Sequence, residues 1–309
     1  MARTVLVVLV GTNETKQTDA YQLLQEESAT AESRKAGLAA EILFAPGFDH
    51  LRVIRKRLGN TAAPPVDAVI VEPESITTTE LILKDLKGRC GLVLLNAWLP
   101  EVAEYARTWG KGLPFGTVST DHTQLGKIQG QQANGFVREG GQVLCVTGPH
   151  RSSAAVERLE GLRSSLRPEV TVYDTAAGGW TEADGAGAFN SWYGIYKTRT
   201  FRVDVIAGQS DELAVGARRA AEALTNPAHR ELFRKAKVLG VDACPAFGRK
   251  LVDEGVLTAS VITPANTGEA MRRLKDFWDS GLPFPLKALT HPEPYPTKRS
   301  PAARSEGAG

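Results

Sequence analysis

The sequence predicts an α/β protein built as two doubly wound parallel-sheet lobes. Three observations carry that prediction. Short apolar runs without polar interruption recur along the chain, as strands buried on both faces require. Each run is followed by a helix-length segment instead of a tight turn, which makes neighbouring strands parallel. The alternation comes in two sets of similar length, with a fresh start after a helix near Thr120.

Thr4 to Val10 (TVLVVLV) is the first strand, and a helix beginning near Thr18, with Asp19 in its first turn, runs to Lys35 and ends at Gly37. Leu38 to Phe44 and His50 to Leu58 form the second strand and helix, followed by a connector over Ala62–Pro65. Val66 to Val71 is a strand ending at Glu72-Pro73-Glu74, and Thr79 to Lys87 is its helix. Leu92 to Leu95 ends at Asn96-Ala97-Trp98, Phe115 to Ser119 is a short strand, and a helix runs from Thr120 to Arg138.

In the second set, Gln142–Thr147, Val170–Tyr173 and Val203–Ala207 read as strands. Ser152–Leu166, Glu182–Tyr196 and Asp211–Leu224 read as the helices between them. Val238 to Val241 is a buried strand with Asp242 at its end, and Pro245 opens a helix that stops at Gly255. Asp242 can either cap that helix or face a ligand, since open α/β sheets bind ligands at the carboxyl ends of strands. Leu257 to Ile262 is the last strand of the set, and a helix from Thr267 runs past Leu274 and Phe277 to Gly281. That helix has no strand left to follow in the second lobe. It fits if the chain crosses back to the first lobe near Thr263.

Bulk composition narrows the function. The 309 residues are 42% hydrophobic and 23% charged, with a net charge of +2 and no basic stripe, which argues against a nucleic-acid partner. The longest apolar run, Val5 to Val10, is far too short to span a membrane and makes a poor secretory signal. Cys90, Cys145 and Cys244 lie far apart without a C-x-x-C, so buried free thiols are expected, which suits a reducing compartment.

Catalytic signatures are weak. Gly148-Pro149-His150-Arg151-Ser152-Ser153 lies between a strand and a helix but lacks the Gly-Lys-Ser/Thr ending of a phosphate loop, and Pro149 removes a cradling amide. The first strand-to-helix turn, Gly11-Thr12-Asn13, has no dinucleotide fingerprint, and Ser152 and Ser153 have no G-x-S-x-G context. The five histidines show no metal-ligand spacing, and only His150 lies where it could touch a ligand. No metal or cofactor is expected. The strand-end loops instead offer Asn96, Arg158, Gln209, Ser210 and Asp242, with Tyr21, Trp98, Trp180 and Trp192 nearby. Planar polar groups that pair with hydroxyls, beside aromatic faces that cover C–H surfaces, suit a polyhydroxylated ligand. Core packing competes as the role of each tryptophan, least for Trp180, which follows Gly178-Gly179 in a loop.

Four segments then resemble the type I periplasmic binding proteins, especially the ribose- and galactose-binding members and the ligand domains of lactose-repressor-type regulators. They are Thr120-Asp121 through Gly126-Lys127-Ile128-Gln129-Gly130, Ser152 through Leu162, Gln209 through Ala217, and Gly240 through Pro245 with Gly255 through Val261. Their order fits the family from about Val5 to Gly281. The resemblance implies two lobes joined by a three-crossing hinge that close on a ligand, with crossings near Thr120, Thr263 and Pro283. Residues 1–120 and 264–282 would form the first lobe, 121–263 with a return segment 283–290 the second, and 291–309 a disordered tail.

Position by position, Arg158 resembles the arginine that binds ligand hydroxyls, Asp242 the carboxylate that accepts from them, and Trp180 a stacking aromatic. Ser210 stands where many members have Asn, and Thr263 where they often have Gln. Tyr21 and Gln22 are further contacts from the first loop, and Trp98 adjoins Asn96-Ala97, which stands where sugar binders commonly carry Asp-Arg. Without that pair the ligand is expected to be less hydroxylated, larger, or held more by stacking than a simple pentose. The family implies a monomeric solute-binding protein, not an enzyme, that presents a carbohydrate-like molecule to an ABC importer. A cytoplasmic ligand sensor of the same fold and, less favoured, a sugar-modifying transferase are the alternatives. A mature chain would work in the periplasm or cell envelope, and one with a native N-terminus in the cytoplasm.

Overall fold

A computed structural model of the chain describes residues 2–12, 19–73, 75–137 and 140–297. The first lobe opens with strand β1 (Thr4–Val10), helix α1 (Ala20–Ala36), β2 (Ala39–Ala45) and α2 (His50–Leu58). It continues with β3 (Ala68–Val71), α3 (Ile76–Leu86), β4 (Gly91–Leu95), α4 (Pro100–Thr108) and β5 (Phe115–Thr120). The second lobe holds α5 (His122–Asn134), β6 (Gln142–Thr147), α6 (Ser153–Ser165), β7 (Thr171–Ala176) and α7 (Glu182–Tyr196). After these come β8 (Val205–Gly208), α8 (Asp211–Glu222), α9 (Pro227–Lys235), β9 (Lys237–Leu239), a π-helical turn (Pro245–Arg249), α10 (Lys250–Asp253) and β10 (Ser260–Ile262). The chain then forms α11 (Asn266–Ser280), β11 (Lys287–Thr290) and β12 (Glu293–Tyr295).

Two parallel sheets result, with strand orders β11-β5-β4-β3-β1-β2 and β7-β6-β8-β9. Both bury side chains on both faces. On β1, Leu6 and Val8 enter one core layer while Val5, Val7 and Leu9 enter the other, the two-residue alternation of a strand. On β6, Leu144 and Val146 face one layer, and Val143 and Cys145 the other. β10 continues the second sheet through Gly240 N–H to Ala259 O (2.9 Å) and Asp242 N–H to Val261 O (2.9 Å). Helices α5 and α6 approach closely because Gly126 and Gly161 carry no side chain. A Cβ at Gly126 would overlap Arg158 O, and one at Gly161 would overlap Thr123 O.

The chain leaves the first-lobe sheet after β5 and comes back to it after β10. Asp121 caps α5 just after β5, accepting from Gln124 N (2.8 Å). Thr263-Pro264 leads from β10 to α11, which docks on α1 through Thr267 N–H to Gln25 Oε1 (2.9 Å) and Thr267 Oγ1 to Gln25 O (2.7 Å). The third crossing is a correction. Residues 287–290, expected as part of a return to the second lobe, form β11, which pairs with β5 in the first-lobe sheet. Phe284 sits in the first-lobe core and Thr117 N–H donates to Leu286 O (2.9 Å), so the proline-rich run is extended chain lying along the sheet edge. The crossing therefore follows Thr290, not Pro283. Nor is the whole of 291–309 a tail: β12 pairs antiparallel with β10, with Pro294 opposite Val261 on an edge strand where its missing N–H costs nothing. The remainder of that tail, from residue 298, and Arg138 and Thr18 lie outside the described residues.

Helices α4 and α9 go beyond the elements the sequence predicts. Each begins with a proline in its first turn, and Asn226 caps α9 by accepting from Ala228 N and His229 N. Cys90, Cys145 and Cys244 are buried and free, as expected.

Candidate functional site

The carboxyl ends of both sheets face each other across one cavity. From the first lobe it is lined by Asp19, Tyr21, Gln22, Glu72 and Asn96, and from the second by His122, Ser152, Arg158, Trp180, Ser210, Glu212 and Asp242. Asp19 caps α1 by accepting from Gln22 N (2.8 Å), which fixes the first helical turn and points Tyr21 and Gln22 at the strand ends. The lobes touch here: Glu212 Oε1 accepts from Ala20 N across the cleft (3.1 Å).

The first-lobe wall is one hydrogen-bonded net. Glu72 Oε1 accepts from Asn96 Nδ2 (2.7 Å) and Oε2 from Gln22 Nε2 (2.9 Å). Asn96 Oδ1 accepts from Thr120 N (3.2 Å) and Asn266 Nδ2 (2.7 Å), while Tyr21 OH donates to Pro264 O (3.1 Å). Asn266 Oδ1 in turn accepts from Thr290 Oγ1 (2.7 Å), and its Nδ2 reaches Thr120 Oγ1 (3.2 Å). The buried Asn266 thereby ties all three crossings to the cavity wall.

On the second-lobe wall Arg158 is 6% exposed. Its Nη1 donates to Gln209 O (2.5 Å), its Nε to His122 Nδ1 (3.3 Å), and its guanidinium lies 5.4 Å from the Trp180 ring centre. Gln209 is scaffold: it accepts from Gly148 N (3.0 Å) and donates to Ala155 O (2.9 Å). Trp180 occupies the space a side chain at position 148 would need, since a Cβ on Gly148 would overlap its ring. Ser210 caps α8 through Leu213 N (3.1 Å) and so turns its hydroxyl toward the helix end.

Asp242 is no helix cap. Its φ of 97° and the 44° of Ala243 put two consecutive non-glycine residues in the left-handed region, and Asn96 on the opposite wall has φ 50°. Such backbone survives only where neighbours hold it, and it concentrates at ligand sites. Here Asp211 holds the turn, accepting from Ala243 N (2.7 Å) and Ser260 Oγ (2.6 Å). The result aims Asp242 into the cavity, where its Oδ1 accepts no hydrogen bond. Arg158 Nη2 is 3.9 Å away, an ion pair but too long for a hydrogen bond.

Electrostatically the cavity is acidic. Burial, with help from Asp242 and Glu72, pushes the Asp19 carboxyl up to about 7. Burial and the negative field of Asp19 push Glu212 to about 8. Burial also raises Glu72 and Asp242, the latter against the opposing pull of Arg158. His122 is driven well below its ordinary range by burial and by Arg158, so its ring is neutral. With Nδ1 accepting from Arg158, the proton sits on Nε2, which is buried and has no partner. Among the described residues no group of three acids, histidines or cysteines could hold a metal ion, and no helix is long and apolar enough to cross a membrane.

Of the nine residues singled out in the sequence, Arg158, Asp242, Trp180, Asn96, Ser210, Tyr21 and Gln22 line the cavity. Thr263 does not: it lies behind the Asp242 turn, donating its N–H to Asp242 O (3.2 Å). Trp98 packs at the edge of the first-lobe core with Lys287 Nζ 5.0 Å from its ring centre. Trp192 is core, and His150 stands at the cleft mouth.

The family model described as periplasmic binding protein domain matches residues 15–271. The chain belongs to this family. Solved periplasmic binding proteins share its fold at low identity. A glucose-galactose binding protein from Geobacillus stearothermophilus aligns at TM-score 0.74 and 18% identity over 95% of this chain and 97% of that one. An ABC transporter solute-binding protein from Bacillus halodurans with bound myo-inositol aligns at 0.72 and 18% over 95% and 94%. The fructose-binding periplasmic domain of a hybrid two-component system aligns at 0.75 and 18% over 94% and 90%. A search of the curated proteins finds no match.

Asp19, Glu72, Glu212, His122 and Ser152 line the binding-protein cleft without having been singled out in the sequence. Glu72 was the most legible of them, since it directly follows β3. Asp19 and Glu212 read as ordinary first-turn acids of helices, a pattern the helix dipole alone explains.

Proposed function

We propose that the protein captures a small carbohydrate-like molecule in the cleft between its lobes and presents it to an ABC importer. The observation that carries this reading is the pair of opposed polar walls around one cavity, Arg158, Asp242 and Trp180 facing Tyr21, Gln22 and Asn96. Hydroxyls can accept from Arg158 and from His122 Nε2, and donate to Asp242 Oδ1, while the indole covers a C–H face. The cavity is small, about 80 Å³. That favours a ligand of about one sugar ring in the closed arrangement. The ligands of the aligned proteins, glucose, galactose and myo-inositol, belong to the same class.

Ligand would act by stabilising the closed arrangement, with Thr120, Thr263-Pro264 and the stretch after Thr290 as the straps about which the lobes turn. A sensor role is the second reading, favoured by the alignment with a two-component system domain. A thermal-shift screen with sugars, polyols and nucleosides tests the binding claim. A ligand present at a hundred times its Kd should stabilise the fold by about 2.7 kcal/mol. A flat response to every carbohydrate and polyol would overturn it. Stimulation of a co-reconstituted permease ATPase by the loaded protein separates importer from sensor.

A further inference from the structure

Four carboxyl groups line the cavity, Asp19, Glu72, Glu212 and Asp242, and among the described residues Arg158 is the one cation that joins them. Arg158 forms an ion pair with one of them, Asp242, and one cation cannot balance four acids. Its guanidinium is committed to Gln209 O and His122 Nδ1, and it stands 3.9 Å from the nearest of the four. The others are held by neutral donors: Glu72 by Asn96 and Gln22, Asp19 by Gln22 N, Glu212 by Ala20 N. Asp242, only 7% exposed, keeps Oδ1 without any hydrogen-bond donor. Neutral donors satisfy lone pairs but supply no counter-charge, so burial favours the protonated acids until a cation joins them.

Resting on the binding reading above, we propose that the ligand is a polyol or sugar carrying a protonated amine, its ammonium received by the carboxyl groups of Asp19, Glu72, Glu212 and Asp242. A compact metal ion does not fit, because these acids surround the cavity instead of converging on one point. A hydroxylated organic cation fits the distribution, since its charge can sit near Asp242 while its hydroxyls meet His122 Nε2 and a C–H face covers the Trp180 ring. The raised positions of Asp19, at about 7, and Glu212, at about 8, agree with acids waiting for a counter-charge. Binding of an ammonium would draw protons off them.

Matched triads test the charge alone: glucosamine, glucose and glucuronate; galactosamine, galactose and galacturonate; glucamine, sorbitol and gluconate. Calorimetric titrations of the full chain at pH 6.5 are expected to rank amine above neutral above acid in every triad that binds. The amine should gain about tenfold, as a charge-assisted bond does over a neutral one. Glu212→Gln and Asp242→Asn, checked for an intact melting transition, are expected to shrink the amine-to-neutral ratio. Repeating the amine titration in buffers of different ionisation heat should reveal proton release. A neutral sugar that binds as tightly as its amine, or a ratio untouched by both variants, overturns the ammonium assignment and leaves the carbohydrate-binding reading standing. Binding by no member of any triad overturns both.

Discussion

Raising the pH should open the unliganded lobes. Closure buries Asp19 and Glu212 against each other across the cleft, and their carboxyls rise from ordinary values of 3.8 and 4.5 to about 7 and about 8. Separated lobes return both groups to water. Each pH unit between the exposed and buried values is worth about 1.4 kcal/mol, so moving one carboxyl from 3.8 to about 7 opposes closure by roughly 4 kcal/mol once it is ionised in both states. The closed form binds more protons than the open one between these limits. Its advantage is therefore fully present below about pH 4, declines as pH rises from there, and is fully lost once pH has risen through 7 to 8. Asp19 itself helps to raise Glu212, so a proton on either relieves both and the figure for one group is the better guide to the pair. Small-angle scattering of the ligand-free protein at pH 5, 6.5 and 8 reads the radius of gyration directly. Expansion between pH 5 and 8 is expected, and Asp19→Asn with Glu212→Gln, which keeps the hydrogen-bonding shapes, should abolish it. A radius that is constant or shrinks with pH, or an expansion that survives the double substitution, would refute the reasoning.

Three further outcomes follow from particular contacts. Gly148→Ala should displace the Trp180 indole, because the added methyl would overlap it; ligand-induced fluorescence change should fall relative to wild type while the melting transition persists. Asp211→Ala removes the acceptor of both Ala243 N and Ser260 Oγ, leaving buried donors unpaired at a cost of about 1–3 kcal/mol each, visible in urea unfolding and accompanied by weakened binding. Asn266→Ala cuts the link between the Asn96 wall and Thr120 and Thr290; it should change the scattering-detected balance of open and closed forms more than it changes the far-ultraviolet dichroism.

Much of this fold was legible because strand and helix periods are local. The runs Thr4–Val10 and Gln142–Thr147 and the helices His50–Leu58 and Glu182–Tyr196 coincide with their predicted limits, since mostly apolar runs, the amphipathic pattern of the first helix and the Thr181–Asp184 capping box of the second are local signals. The middle crossing could be found by strand counting. The last could not: Leu282-Pro283-Phe284-Pro285 looks like linker by composition, and only packing of Phe284 into the first-lobe core shows that it leads to a sheet strand. The same holds for Glu293–Tyr295, whose edge position tolerates Pro294. In the site, Asp242 and Trp180 stand on strand-end loops and Arg158 on helix α6 just after one, and all three could be named. Thr263 and Trp98 neighbour such positions in sequence, but Thr263 stands behind Asp242 and Trp98 at the edge of the first-lobe core, and neither lines the cavity. The acidic character of the cleft was hidden because Asp19, Glu72, Glu212 and Asp242 come from four separate turns of the chain, and nothing local shows that the turns converge.

The central claim is that a small molecule is held between the lobes by Arg158 and Asp242. Calorimetric titration of the best ligand from the thermal-shift screen into Arg158→Ala and Asp242→Ala proteins tests it most directly. Loss of measurable binding in both, with a cooperative melting transition retained, is the predicted result. Wild-type affinity in both variants would contradict the account.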